Sequence, residues 1–229
     1  MNETLTLHET PGDECPYLPG RVWKTEFFTV AACPEGVYEF LLAQGFRRSG
    51  LIFYRNICPD CEECRQIRIP VSRFAPTRSQ ARAVRKNRDV QVSIAPAGFR
   101  KDVFALYRRY SAFKHEKDTE DEKSFRRFLC DSPLDTRMTL YRIDGALAAA
   151  GWVDVLPGGL SSVYFAFEPD FARRSLGVFS VVKEIELAKD MGLPFYYLGF
   201  VVDGSPKMGY KAAYCPQQRL YGGVWCNWP

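Results

Sequence analysis

The chain has 229 residues, 46% of them apolar and 25% charged, and its 31 lysines and arginines against 27 acidic residues give a formal charge of +4. This is an ordinary globular composition with enough apolar residues for a sizeable core in one large domain or two small ones. It holds no apolar run of about 20 residues, and its first thirty residues lack a basic start followed by an apolar stretch, so neither membrane spanning nor export is indicated and the cytoplasm is the expected location.

In chain order, residues 36–44 carry apolar side chains at helical spacing and stop at Gly45, which suits a helix cap. Strands are expected at 51–54 and 65–71, the second alternating Ile67, Ile69 and Val71 with Gln66, Arg68 and Pro70, the period of a half-buried strand. Pro76-Thr77 opens a polar, arginine-rich helix to about 87, followed by a strand at 90–94. Two amphipathic helices follow at 99–114 and 120–130. A strand at 137–143 then leads through Asp144-Gly145, a hairpin signal, into a strand at 146–155. Pro157-Gly158-Gly159 turns the chain into a strand at 160–167, a helix spans 175–191 with Gly192 as its cap, and 195–200 reads as a buried strand. This order predicts an α+β fold with a small N-terminal cysteine-containing α/β domain, 1–75, and a second domain, 76–229, built on a mixed central sheet. The sheet is mixed because a strand after a helical crossover usually runs parallel to its predecessor.

Two stretches stand out chemically. Residues 73–88 hold Arg73, Arg78, Arg82, Arg85, Lys86 and Arg88 with no acidic residue, and Arg78, Arg82 and Arg85 share one helix face. Such a stripe serves either as a phosphate-binding surface or as a solvated face. Cys58-Pro-Asp-Cys61-Glu-Glu-Cys64 is a C-x2-C-x2-C triplet among eight cysteines; with Cys15 as a fourth thiolate it would suit zinc or an iron-sulfur cluster, and without one it is a set of buried thiols.

The segments Ser161-Ser-Val-Tyr-Phe-Ala-Phe-Glu-Pro-Asp170, Ser175-Leu-Gly-Val178, Glu184-Ile-Glu-Leu-Ala-Lys189, Tyr196-Tyr-Leu-Gly-Phe200 and Ser205-Pro-Lys-Met-Gly-Tyr-Lys211 together resemble the arginyl-tRNA-protein transferase family and its bacterial aspartate/glutamate leucyltransferase branch. Gly45-Phe-Arg-Arg-Ser-Gly50, Tyr107-Arg-Arg-Tyr110 with His115, Arg127-Phe-Leu-Cys-Asp-Ser-Pro133 and Asp154-Val-Leu-Pro157 extend the resemblance over roughly residues 15–225. The resemblance implies a GNAT-like second domain that moves an amino acid from a charged tRNA onto the N-terminal amine of a protein beginning with Asp or Glu. The product is a degradation signal for downstream proteolytic machinery. The C-x-x-C-x-x-C triplet followed by Arg65-Gln-Ile-Arg-Ile-Pro-Val71 favours leucine as the transferred residue, with Phe128-Leu-Cys-Asp-Ser-Pro133 and Val224-Trp225 leaving arginine open.

An aminoacyl ester is already activated, so such a site needs mainly to align amine and ester, stabilise an oxyanion and move a proton. Tyr164, Tyr197 and His115 are the candidate catalytic residues, the tyrosines being core residues in the alternative reading. Lys207, Tyr210, Lys211 and Arg78 are the candidates for holding the acceptor carboxylate, and Arg82, Arg85, Lys86 and Arg88 for contacting tRNA. No cofactor is required. Family members of eukaryotes carry a C-x-x-C and a later adjacent cysteine pair, of which Cys15-Pro-Tyr-Leu18 and Glu63-Cys64 keep half. An arginyl donor would need a carboxylate in its pocket, for which Asp154, Glu168 and Asp203 are candidates, whereas a leucyl donor needs an apolar one. An acyl-CoA-dependent acyltransferase is disfavoured because Phe179 stands where a pyrophosphate loop needs a small residue. A non-catalytic nucleic-acid-binding module would leave the second half of the chain unexplained.

Overall fold

The computed structural model describes residues 6–114 and 121–228, with the backbone of His115. The local signals act as their chemistry requires. The Thr77 hydroxyl accepts from the Gln80 backbone N–H while the Gln80 side chain accepts from the Thr77 N–H, a capping box that starts helix α2 (Arg78–Lys86). Asp144 and Gly145 both take positive φ, 49° and 80°, joining strands β9 (Thr136–Ile143) and β10 (Ala146–Leu156) in the twist that a two-residue hairpin needs. Gly192, at φ 70°, ends helix α5 (Leu176–Asp190), with the Leu193 N–H returning to the Ala188 carbonyl.

Among the described residues the strands make a four-stranded sheet, an eight-stranded sheet and a two-stranded ribbon. The four-stranded sheet has the order β1 (His8–Glu9), β4 (Thr25–Thr29), β6 (Ile52–Asn56), β5 (Arg47–Ser49), and the ribbon pairs β2 (Asp13–Glu14) with β3 (Val22–Trp23). In the large sheet the order is β14 (Val224–Trp228), β13 (Gln217–Tyr221), β7 (Arg65–Pro70), β12 (Phe195–Val201), β11 (Gly159–Phe167), β10, β9 and β8 (Gln91–Pro96). The expected α+β arrangement with a mixed sheet is thus present. The boundary expected near residue 75 falls just after β7, which sits between β12 and β13 with Ile67 and Ile69 buried under α5. The segment before that boundary therefore contributes an interior strand to the large sheet.

One face of that sheet packs on α5, through Leu160, Tyr196 and Leu198 among others. The opposite face meets two neighbours. Tyr197 and Leu156 pack under the small sheet and helix α1 (Val37–Ala43). Trp152, Ala150 and Met138 pack under α3 (Lys101–His115) and α4 (Glu122–Phe125). The helix expected at 120–130 is only this short α-helix, continued as a π-helical turn over Arg126–Cys130. That turn docks on Gly50, where an added Cβ would meet the Arg127 carbonyl oxygen at 2.1 Å, so glycine is required at this approach.

The feature that positions a site is a parting of strands. β11 and β12 pair in parallel only at Gly159–Ser161 against Phe195–Tyr197, after which β12 continues alongside β7 and β11 alongside β10. Their C-terminal halves frame a cleft.

Candidate active site

At this cleft β12 carries Gly199 with φ +87°, at a register shift in its pairing with β7. An added Cβ there would lie 3.3 Å from Lys211 Nζ and 3.7 Å from Arg47 Nη2, so glycine lets two cations approach the strand. Arg47, buried on β5, donates from Nη1 to Ser161 Oγ at 3.1 Å and from Nη2 to the Ser162 carbonyl at 2.5 Å. Lys211 comes from a 3-10 turn, Gly209–Ala213, and turns its ammonium inward; burial first and the neighbouring Arg47 second push its pKa down to about 7.

Acids nearby are engaged elsewhere. Asp154 is fully buried and held in a bidentate pair by Arg48, at 2.6 and 2.8 Å, with Thr136 completing its shell at 2.5 Å. Glu168 is held by Arg109 at 2.5 Å and Asp203 by Arg219 at 2.7 Å. Among the described residues no carboxylate forms an ion pair with Arg47 or Lys211. Two desolvated cations without an internal counterion make a strong anion site, since burying unpaired charge is costly until a partner arrives.

On the α5 side of the sheet lies a buried acid. Tyr196 Oη donates to Glu184 Oε2 at 2.5 Å, and burial pushes the Glu184 carboxyl up to about 7 despite the Tyr196 and Thr139 hydroxyls that oppose the rise. Gly151 leaves room for this group, since a Cβ there would meet Thr139 Oγ1 at 2.5 Å and Glu184 Oε1 at 2.9 Å.

A sheet that parts beside two neighbouring cations offers a place where an anion can be held, and comparison with known sequences gives the family. Residues 13–82 match the family described as arginine-tRNA-protein transferase, N terminus, and residues 102–221 match its C terminus. The chain belongs to the arginine-tRNA-protein transferase family. It is 42% identical to an aspartate/glutamate leucyltransferase of Stenotrophomonas maltophilia, over 98% of this chain and 93% of that protein. It is 36% identical to another of that name from Chromobacterium violaceum, over 98% and 95%. In fold it is similar to the crystal structure of FemX, with a TM-score of 0.51 at 9% identity over 89% of this chain and 81% of that one. The expected α+β fold with a mixed sheet and the aminoacyltransferase class hold.

For this family member the structure brings some of the sequence-predicted residues together and separates others. Lys211 lies at the cleft with exposed Tyr210 beside it on the same turn. Tyr164, half-buried on β11, sits in an aromatic nest of Tyr107, Phe128 and Trp152 at ring distances of 5.8, 5.1 and 6.3 Å. Tyr197 is instead packed between Phe195 and Trp225 under the small sheet, and the hydroxyl that meets an acid is that of its neighbour Tyr196. His115 closes α3, and its side chain lies outside the described residues. Lys207 is exposed and reaches the Pro16 carbonyl at 3.4 Å, tying down the segment that carries Cys15.

Arg78, Arg82 and Arg85 are exposed on α2, which packs on α5. Lys86 Nζ donates to the Arg173 carbonyl at 2.5 Å, and with Arg88, Asp89 and Arg174 it lines a depression of about 500 Å³ near the start of α5. Phe179, in the first turn of α5, is buried in the core with Leu176 and Tyr141. Cys15, Cys58, Cys61 and Cys64 are half-buried free thiols, and burial, with Cys58, Cys15 and Cys61 adding to it, pushes Cys64 up to about 12. Among the described residues no three His, Cys, Asp or Glu side chains converge to hold a metal ion. No described helix is long and apolar enough to cross a membrane.

Arg47 and Glu184 were given no role by sequence reasoning. Arg47 had one signal, a pair of arginines closed between Gly45 and Gly50 in a segment too short to hide both from the core unless each had a partner. Glu184 had none, because an acid on the inner face of an otherwise apolar helix turn reads as a break in the pattern.

Proposed function

We propose that this chain transfers leucine from Leu-tRNA to the N-terminal amine of proteins beginning with Asp or Glu. The observation that carries the reading is the buried Arg47–Lys211 pair beside Gly199, with no described carboxylate of the chain paired to it. A guanidinium and an ammonium at short range are what an acidic acceptor side chain requires.

With the carboxylate held there, the acceptor amine lies within the cleft, and the remaining chemistry is simple. The amine nitrogen attacks the ester carbonyl carbon, the bond from that carbon to the ribose oxygen breaks, the amine loses a proton and the ribose oxygen gains one. The α-amine, with an ordinary pKa near 8, needs only weak base assistance. Glu184, reached through Tyr196, accepts that proton, and Tyr164 donates to the tetrahedral oxyanion. This chemistry requires no cofactor, and Cys15, Cys58, Cys61 and Cys64 stand outside it.

Donor choice is supported by the three acids once available to an arginyl side chain. Asp154, Glu168 and Asp203 are each paired with an arginine of the chain, so none is spare for a guanidinium donor. The tRNA body lies along Arg82, Arg85, Lys86 and Arg88, continuous with the cationic depression at the start of α5. The protein acts in the cytoplasm, and its product carries an N-terminal leucine for the proteolytic machinery. Offering Leu-tRNA and Arg-tRNA side by side, with peptides beginning Asp or Lys, and reading products by mass tests this directly. Leucine on the Asp peptide alone is expected; arginine addition, or equal use of the Lys peptide, would overturn the donor or the acceptor assignment respectively.

A further inference from the structure

Beside the cation pair, on the side of the sheet away from α5, the small sheet, the β2–β3 ribbon and β12 line an open cavity of about 460 Å³. Tyr17, Trp23, Phe27, Tyr54 and Phe200 form its aromatic walls, and no charged side chain lines it. Trp23 Nε1 donates to Asn56 Oδ1 at 2.9 Å, which orients the Asn56 amide and leaves its hydrogens as donors to a peptide carbonyl.

We infer that this cavity receives the second residue of the acceptor protein and selects an apolar or aromatic side chain there; the inference rests on the acceptor reading above. Continuity is the first argument. Arg47 is the direct cross-strand neighbour of Tyr54, and Phe200 follows Gly199 along β12, so residues that line the cavity adjoin those that carry or approach the cations. An acceptor with its first side chain on Arg47 and Lys211 must place its second residue one step along, about 3.8 Å between Cα atoms.

The second argument is position. The basic face of α2 and the depression at the start of α5 lie on the opposite side of the large sheet, so a donor held there enters the cleft from the far side of the splayed strands. That leaves the small-sheet side to the acceptor. The third argument is chemistry: the volume lies in the range of small-ligand sites, and a lining of aromatic rings and Ile52 with one amide and the hydroxyls of Thr10, Thr25 and Ser49 fits a side chain and the peptide group beside it.

The test uses the full chain and pentapeptides beginning Asp-Phe, Asp-Leu, Asp-Gly and Asp-Lys, followed by leucyl transfer and, without tRNA, by fluorescence anisotropy. Asp-Phe and Asp-Leu should bind and react roughly tenfold better than Asp-Gly or Asp-Lys, the scale of discrimination that an apolar pocket provides. Trp23→Ala, which opens the cavity, and Ser49→Leu, which fills it, should each flatten that preference. A flat profile in the unaltered protein would overturn the inference, as would a preference that survives both substitutions. If Trp23→Ala raised the KM for Leu-tRNA and left the peptide profile unchanged, the cavity would belong to the donor and the inference would fall. Absence of transfer to every peptide would refute the function proposed above, while the anisotropy series would still decide what the cavity binds.

Discussion

The chain keeps positive charge in two places, and the two obey different physics. On α2 and just beyond it, Arg78, Arg82, Arg85, Lys86 and Arg88 are exposed. At the cleft, buried Arg47 and the desolvated ammonium of half-buried Lys211 are drawn against Gly199. Exposed cations act collectively and are screened within about 8 to 10 Å at ordinary salt. Desolvated ones act singly, and their strength depends on whether a counterion arrives. The first arrangement suits a polyanion of regular charge and the second suits one carboxylate at a fixed point.

The sharpest way to break this comparison is to remove Arg47. Arg47→Met should lower kcat/KM for an Asp-initiated peptide by about 100-fold or more, the scale for truncating one partner of a buried charged contact. It should raise the melting temperature at the same time, because an unpaired buried cation costs the free enzyme stability. Steady-state kinetics and thermal unfolding check both. A fall in both would show that Arg47 serves the fold through Ser161 and Ser162, and the cleft would lose its role as the anion site.

Lys211 gives the next largest effect through pH. Its pKa is depressed from 10.5 to about 7 in the free protein, and a bound carboxylate favours its charged form, so binding takes up a proton when the pH is above 7. Affinity for an Asp peptide should therefore be highest below pH 7 and weaken by up to roughly tenfold per unit above it. Measuring Kd without tRNA keeps the ionisation of the reacting amine out of the rate. Lys211→Arg should flatten the profile. A wild-type Kd constant from pH 6 to 9 would return Lys211 to the class of ordinary surface lysines.

The two charge groups also differ in how readable they were. The α2 stripe is contiguous in sequence and lies on a helix with its own cap, so composition and helical periodicity are enough to find it. The cation pair is assembled from residues 47 and 211, which approach only because β7 enters the large sheet beside β12 and carries the small sheet with it. Interior placement of β7 was not legible, since its alternation of Ile67 and Ile69 identifies a strand but not its partners. For the same reason the small strands β1 to β5, two to five residues each, left no periodic signal. Helices α1, α2, α3 and α5 and the β9–β12 order were readable because each rests on local caps, turns and periods.

Glu184 tests whether burial, whatever the sign of the charge, is what separates the cleft from the surface. Its folded pKa, about 7, lies above the ordinary glutamate value of 4.5, so between those values the folded protein binds more protons than the unfolded chain. Stability from this group is present below about pH 4.5 and is lost as the pH rises through 7. The loss is on the order of 3 kcal/mol, and it should disappear in Glu184→Gln. Urea unfolding from pH 4.5 to 7.5 in both proteins gives the comparison. Identical pH slopes would mean that Glu184 is solvated and ionised, and it would then be no proton acceptor of the kind proposed.

The smallest effects belong to the exposed stripe. Arg82→Ala or Arg85→Ala should each weaken tRNA binding modestly and equally for every aminoacyl group, because contacts to phosphate carry no information about the donor. The signature is in the salt dependence: each lost contact should lower the slope of log K against log salt by roughly 0.7 to 0.9. Removing both should act nearly additively, since side chains on a solvated helix face share little beyond the field. Filter-binding titrations at several potassium concentrations measure this. An Arg82→Ala protein whose slope is unchanged, but whose use of Asp peptides collapses, would reverse the roles of the two cation groups. In that case the exposed stripe would hold the acceptor and the buried pair the terminal phosphate of the tRNA.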